Sequence, residues 1–403
     1  MPHKSPHLPS LLCQACEAAV QSLTGGLPRG RCATHIIMKK YRLIAKKGEG
    51  TFSEVLKAQN IKSGSFVAIK CMRNKFKSID QVNNLREIQA LRRLMPHPNI
   101  VNLEEVLYDK PTGRLALVFE LMSMNLYELI RGRKNHLNNQ LIKIYCFQAL
   151  RALDQMHSKG VFHRDIKPEN ILIESSYDVY TGLKLADFGS CRGIKSKKPY
   201  TEYISTRWYR APECLLTDGY YGAEMDIWGI GCVFFELSAL FPLFPGENEK
   251  DQMSKIHKIL GTPKDDALAF FKAHQSRHMS FSWPRQQGTG FRSLIPHVPD
   301  SFKDLLQGML QYDPRKRISA RDAVTHPYFA DLWVTPMPPE VASAAPAPPG
   351  APTGSSKTTP AAAGAAGGEG GAAGAKSSSD KVRPSATSDH STAAARRLDT
   401  KSP

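Results

Sequence analysis

The 403-residue chain has no uninterrupted apolar run of about eighteen residues, the length a bilayer-spanning helix needs, so membrane insertion is not expected. Its mildly basic N-terminus has no sustained apolar core beyond "LPSLLC", which argues against a secretory leader. No Phe, Trp or Tyr follows Trp333. Residues 334–403, which include "APAPPGAPTGSSKTTPAAAGAAGGEGG", cannot bury enough apolar surface to offset the entropy of ordering, and a disordered tail is expected. Cys13 and Cys16 form a CxxC, followed by a lone Cys32 and no clear fourth ligand. The three read as part of an unstructured leader rather than a zinc site. The other cysteines read as reduced, mostly buried residues of an intracellular protein.

The net charge of +17 raises the question of nucleic acid. The first forty residues hold +4 and residues 334–403 hold +2, which leaves +11 for the centre. That charge is spread along the chain and accompanies no recognisable reading helix or aromatic platform. It fits a protein that handles phosphates at least as well, and no nucleic-acid partner is expected.

Composition divides the chain into residues 1–38, with little periodicity; residues 39–333, with regular apolar patterning; and the tail, 334–403. The first part of the centre reads as strands: "YRLIAKKGEGTFSEVLKAQNI" around a glycine turn, then "SFVAIKCM". "SIDQVNNLREIQALRRLM" reads as one helix, with Val82, Leu85, Ile88, Leu91 and Leu94 on a single stripe. "LALVFELM" reads as a buried strand, and "LIKIYCFQALRALDQMHSKG" and "MDIWGIGCVFFELSAL" read as helices. An α+β fold of two lobes follows, a small β-rich one and a larger helical one.

Within this frame lie residues suited to phosphoryl transfer. "KGEGTFSEV" puts Gly48 and Gly50 in a turn between strands, where backbone N–H groups can approach a polyphosphate closely. Two glycines in a hairpin are by themselves a weak signal. Lys70 ends "VAIK", and Glu87 lies on the expected helix, so the two can pair and present the ammonium to phosphate oxygens. "VFHRDIKPENILIESSYDVYTGLKLADFG" adds Asp165, able to accept or orient an acceptor hydroxyl. Asn170 and Asp187 are oxygen donors for Mg²⁺, and Lys167 can balance the transferred phosphoryl group. Singly, each would more often be a surface residue; together and in this order they are specific.

GxGxxSxV, VAIK, REIQAL, HRDIKPEN, DFG and APE stand in the order and near-spacing of the eukaryotic protein kinases, which the chain resembles over roughly residues 40–332. "TEYISTRWYRAPE" and the "GTP" of Gly261–Pro263 resemble the mitogen-activated and cyclin-dependent branch. "GEGTFSEV", "DFGSCR" and "TEY" are most similar to the overlapping kinases of its male germ cell-associated family. The resemblance implies the bilobal kinase fold and ATP- and Mg²⁺-dependent phosphorylation of protein Ser or Thr, usually before proline. A kinase of this size is expected to be a monomer, and the resemblance implies cytoplasm, nucleus or cilium as its location.

By position, Asp165 resembles the catalytic base and Lys167 its companion, Asn170 and Asp187 the Mg²⁺ ligands, and Lys70 and Glu87 the phosphate clamp. Lys47, Gly48, Glu49, Gly50, Thr51, Phe52 and Ser53 resemble the loop over the nucleotide. Val55, Ala68 and Leu172 would sandwich adenine, Phe119 would gate its pocket, and the backbone of Glu120 and Met122 would hydrogen-bond it. Glu213 and Arg317 resemble a structural ion pair. Arg86, Arg164 and Arg192 fall where this branch gathers a phosphate in the activation segment, with Thr201 and Tyr203 as acceptors for an upstream kinase or for autophosphorylation.

Three features depart from the pattern. Ser53 replaces the third glycine, Lys47 stands where relatives place an aliphatic roof over adenine, and "ESSYDVYTG" is some four residues longer than usual. Lys47 and Ser53 are the only features favouring a second reading, a pseudokinase scaffold with little turnover.

Overall fold

The computed structural model describes residues 35–174, 182–200, 207–276 and 280–334. The Cys13–Cys16 pair, most of the long hairpin, Thr201, Tyr203 and the tail lie outside them. All described residues belong to one compact unit, residues 1–349.

A short helix, α1 (His35–Lys40), leads into β1 (Tyr41–Glu49), β2 (Ser53–Asn60) and β3 (Phe66–Met72). Two helices follow, α2 (Ile79–Asn83) and α3 (Arg86–Leu94), then β4 (Leu103–Asp109) and β5 (Arg114–Glu120). The five strands form one antiparallel sheet in the order β1-β2-β3-β5-β4. Strand β5 explains the unbroken run "LALVF", because it is covered on both faces. Ala116 and Val118 pack with Ile37, Val67 and Ile69 on one side, while Leu115, Leu117 and Phe119 join the main core on the other.

The single helix expected from Ser78 to Met95 is broken. Asn84 donates its N–H to Asp80 O with φ −85° and ψ 0°, and Leu85 is extended at φ −62° and ψ 129°. The pair Asn83–Asn84 supplies the break, since short amide side chains compete with the helical backbone for hydrogen bonds. Arg92 donates to Asn83 Oδ1 at 3.0 Å. The apolar stripe survives across the break, with Val82, Ile88, Leu91 and Leu94 all buried.

The second lobe is helical. It opens with β6 (Met124–Asn125) and α4 (Leu126–Ile130), followed by α5 (Asn139–Ser158), capped by Asn138 through a 2.7 Å bond from the Gln140 N–H. Short strands β7 (Val161–Phe162), β8 (Ile171–Ile173), β9 (Leu183–Leu185) and β10 (Arg192–Gly193) carry the loops between them to the lobe boundary. Helices α6 (Pro212–Leu216) and α7 (Glu224–Ala239) come next. Apolar on nearly every side, α7 runs through the interior with Met225 to Ala239 buried. Gly229 lets it approach the loop after β7, because a Cβ there would lie 3.1 Å from Ile166 Cβ. Helices α8 (Glu249–Leu260), α9 (Asp265–Lys272), α10 (Asp300–Met309), α11 (Ala320–Val324) and α12 (Ala330–Val334) complete the fold. No helix among the described residues is long and apolar enough to cross a membrane.

Candidate active site

The glycine loop differs from expectation in one respect. Gly48 is not in the turn but within β1, opposite Val55 of β2. Lys46 pairs with Leu56 and Gly48 with Val55, so Lys47 is the extra residue of a bulge, and its side chain is exposed. The turn proper is closed by Gly50 N–H to Ser53 O at 2.8 Å, with Thr51 and Phe52 exposed at its tip. Phe52 O accepts from Arg73 N–H at 2.9 Å, and the Glu49 carboxylate pairs with Lys46 and Arg73, which ties the loop to the end of β3.

Lys70 projects from β3 at the register of Val55 on one side and Leu117 on the other. Its ammonium lies 2.7 Å from Glu87 Oε1 and 2.9 Å from Asp187 Oδ1, so the expected clamp is formed and includes a third residue. Burial alone would lower the Lys70 ammonium, but the carboxylates of Glu87 and Asp187 outweigh it and hold it above the usual lysine range. Burial likewise works against the Asp187 carboxylate, and Lys70 outweighs it there too.

Asp165 is buried in the loop between β7 and β8. Lys167 Nζ and Asn170 Nδ2 each donate to its Oδ2 at 2.9 Å, and Asn170 Nδ2 also reaches the Asp165 carbonyl at 2.8 Å. Its other oxygen, Oδ1, is buried and has no hydrogen-bond partner. An orphaned buried carboxylate oxygen is costly unless something outside the chain uses it.

Sequence reasoning missed the group that holds this loop. Asp226, in the first turn of α7, accepts from His163 N–H at 2.7 Å and Arg164 N–H at 2.8 Å, and lies 3.0 Å from His157 Nε2. The signal was present, as a lone acid in the otherwise apolar run "MDIWGIGCVFF". Arg164 takes the left-handed φ of 71°, which these bonds support. His163 accepts from Asp165 N–H through Nδ1 at 3.2 Å, faces Ala186 O through Nε2 at 2.9 Å, and meets the Phe188 ring edge-on. Four backbone-directed bonds thus fix Asp165 relative to Asp187.

Asn170 spends its amide protons on Asp165, and Asp187 uses Oδ1 on Lys70, which leaves Asn170 Oδ1 and Asp187 Oδ2 as oxygen donors. A hard divalent cation is held by one or two such oxygens together with substrate phosphates, so these residues fit one.

Between the lobes, Glu120 closes β5. Its carboxylate is committed to Asn102 N–H at 2.7 Å and Lys184 at 2.8 Å, and its own N–H to Asn102 O at 3.2 Å. Met122 N–H and C=O make no hydrogen bond among the described residues. Phe119 is buried, and Val55, Ala68 and Leu172 are half-buried.

Arg86 and Arg164 lie close enough to Arg192 for their charges to act on it. Burial, then the charges of Arg86 and Arg164, lower the Arg192 guanidinium, whose Nε is buried without a partner. Arg164 also donates to Ser190 O at 2.6 Å and Tyr221 OH at 3.0 Å. Cys191 beneath this cluster is 3% exposed, and burial pushes its thiol up to about 11, so it is a packing residue. Nearby, Tyr209 OH donates to the buried Glu236 carboxylate at 2.6 Å; burial, helped by Glu169, raises Glu236 to about 7.

Far from the cleft, Arg317 meets Glu213 in a two-pronged pair at 2.7 and 2.9 Å with both side chains sealed from solvent.

Comparison with known proteins agrees with this geometry. The protein kinase domain matches residues 41–329. The chain is 57% identical over 292 residues to the MAPK/MAK/MRK overlapping kinase of Mus musculus, covering 72% of this chain and 68% of that protein. The protein of the same name from Homo sapiens is 56% identical over 294 residues, 73% of this chain and 68% of the other. Serine/threonine-protein kinase MAK of Homo sapiens is 40% identical over 293 residues, 72% of this chain but 46% of that protein. The chain belongs to the protein kinase domain family, as a serine/threonine protein kinase related to the MAPK/MAK/MRK overlapping kinases and to MAK.

Proposed function

We propose that this kinase transfers the terminal phosphoryl group of Mg-bound ATP to Ser or Thr of protein substrates, with preference for a following proline. The observation that carries the reading is the buried, partnerless Oδ1 of Asp165, whose Oδ2 is fixed by Lys167 and Asn170. Oδ1 takes up the proton of the substrate hydroxyl, and Lys167 balances the charge that gathers beside it. Lys70, oriented by Glu87 and Asp187, is presented to phosphate oxygens. Asn170 Oδ1 and Asp187 Oδ2 are the donors for magnesium, which when bound neutralises phosphate charge. Met122 supplies backbone groups to adenine, and Lys47 covers its upper edge with an aliphatic stem.

We further propose that phosphorylation of Thr201 or Tyr203 raises turnover by drawing Arg86, Arg164 and Arg192 onto one phosphate. The partnerless Arg192 Nε and the mutual repulsion of the three cations support that reading.

The test is phosphate transfer from Mg-ATP to a generic basic protein by the wild type and Asp165→Asn. A loss of about 10²–10⁴-fold is expected. Equal turnover would contradict the reading and favour the scaffold. Unchanged turnover in a Thr201→Ala/Tyr203→Phe double variant would reject activation at those residues.

A further inference from the structure

Arg151 of α5 is 3% exposed, and its Nε, Nη1 and Nη2 are all buried without a hydrogen-bond partner. Burial lowers the guanidinium below the usual arginine range, and no carboxylate acts against that fall. A buried cation left alone is among the costliest arrangements in a fold. Water can satisfy its hydrogen bonds but does not neutralise its charge.

Gln148, Arg151 and Gln155 stand three and four residues apart, on one face of α5. Gln148 Oε1 accepts Leu183 N–H at 3.0 Å where β9 begins, and Gln155 Nε2 donates to Leu94 O at 3.4 Å where α3 ends. Arg151, between the two, faces the seam where α5 meets β9 and the loop of residues 95–99. Asn99 lies in the same seam. Its Nδ2 donates to Leu183 O at 3.0 Å, but its Oδ1 is buried and has no partner. Burial, then the charges of Arg151 and Lys184, hold the His97 imidazole down to about 4, so the ring is neutral. His97 Nδ1 accepts Asn99 N–H at 3.1 Å, which puts the ring proton on Nε2 as a donor. Lys184 is already paired with Glu120. The loop is a thin cover, with Pro96 exposed and His97 and Pro98 half-buried.

We propose that this seam binds inorganic phosphate, with two phosphate oxygens on the planar fork of Arg151. A guanidinium matches that geometry, and the His97 Nε2–H is a second donor beside it. Asn99 Oδ1 needs a donor, not an anion. The hydroxyl of hydrogen phosphate supplies one and sulfate does not, so the seam takes phosphate in preference to sulfate. None of these residues belongs to the nucleotide site or to the group of Arg86, Arg164 and Arg192. Bound there, the anion joins α5 of the large lobe to the loop that leaves α3 of the small lobe. It enters by a local lift of residues 95–99, the thin side of the seam.

The test is thermal melting of the full chain without nucleotide, titrated with sodium phosphate, with sulfate and with chloride at matched ionic strength. The wild type should melt higher as phosphate rises, and the rise should saturate. Sulfate should need about tenfold more, and chloride should do nothing. In chloride, Arg151→Met should melt at or above the wild type, because it removes an unpaired charge and keeps the length of the side chain. In phosphate it should gain nothing. Should the methionine variant not fold, Arg151→Gln is titrated in its place, and the phosphate response should again be lost. Phosphate on the other arginines is told apart by Arg192→Ala, which should keep the part of the rise that depends on Arg151. No saturable rise would leave water in the seam and overturn the proposal. An equal rise in the Arg151 variants, or an Arg151→Met that melts well below the wild type in chloride, would overturn it as well.

Discussion

Two ion pairs in this kinase are built from the same chemistry and set in opposite surroundings. Lys70 is shared between Glu87 and Asp187 at a cleft wall, where the Asp187 side chain is 48% exposed. Arg317 and Glu213 are wholly sealed, and the guanidinium is further bound by the carbonyls of Gln311 and Glu224 and lies 5.3 Å from the Trp228 ring. A lysine with two partners and solvent on one side can give up part of its coordination to an incoming phosphate. A planar guanidinium with every direction filled cannot. Exposure and the number of ways a donor can be re-used, more than charge, separate a working pair from a structural one.

The largest effect should come from opening the sealed pair. Arg317→Ala leaves the Glu213 carboxylate buried and alone, at a cost of about 3–5 kcal/mol. Thermal melting should fall steeply and soluble yield with it. Melting close to wild type would mean that the pair is better solvated than its burial implies.

A smaller effect, on pH dependence, tests a third buried carboxyl. Glu236 sits at about 7 against an ordinary 4.5, because burial disfavours its charge. Folded, it keeps its proton over a range in which the unfolded chain has lost it. Its contribution to stability is therefore full below pH 4.5 and lost as the pH rises towards 7. Glu236→Gln keeps an acceptor for Tyr209 and removes the titration. The difference in melting temperature between variant and wild type should grow in the variant's favour between those limits and then level off. A difference that stays flat across the range would place Glu236 at an ordinary value.

The resemblance to protein kinases, strands β1 to β3 and the buried run of β5 were legible because motif spacing and apolar periodicity are local, whereas β4 (Leu103–Asp109) was not read as a strand. Lys70, Glu87, Asp165, Asn170 and Asp187, whose residue types the chemistry dictates, were legible too. Three further things were not. The break at Asn84 hides inside an apolar stripe that continues across it, so periodicity reads one helix where two exist. Gly48 looks like a turn residue, but the bulge at Lys47 depends on register with β2, which no single strand encodes. Asp226 lies 61 residues from Asp165 along the chain, and its role depends on α7 passing beneath the loop that follows β7.

The most direct test of the contrast between the pairs is Lys70→Met, assayed for phosphate transfer and thermal melting on one preparation. Transfer should fall at least a hundredfold, about 2.7 kcal/mol in barrier, while melting shifts far less than in Arg317→Ala. Retained transfer with melting lowered as much as by Arg317→Ala would show that Lys70 holds the fold and not the phosphate.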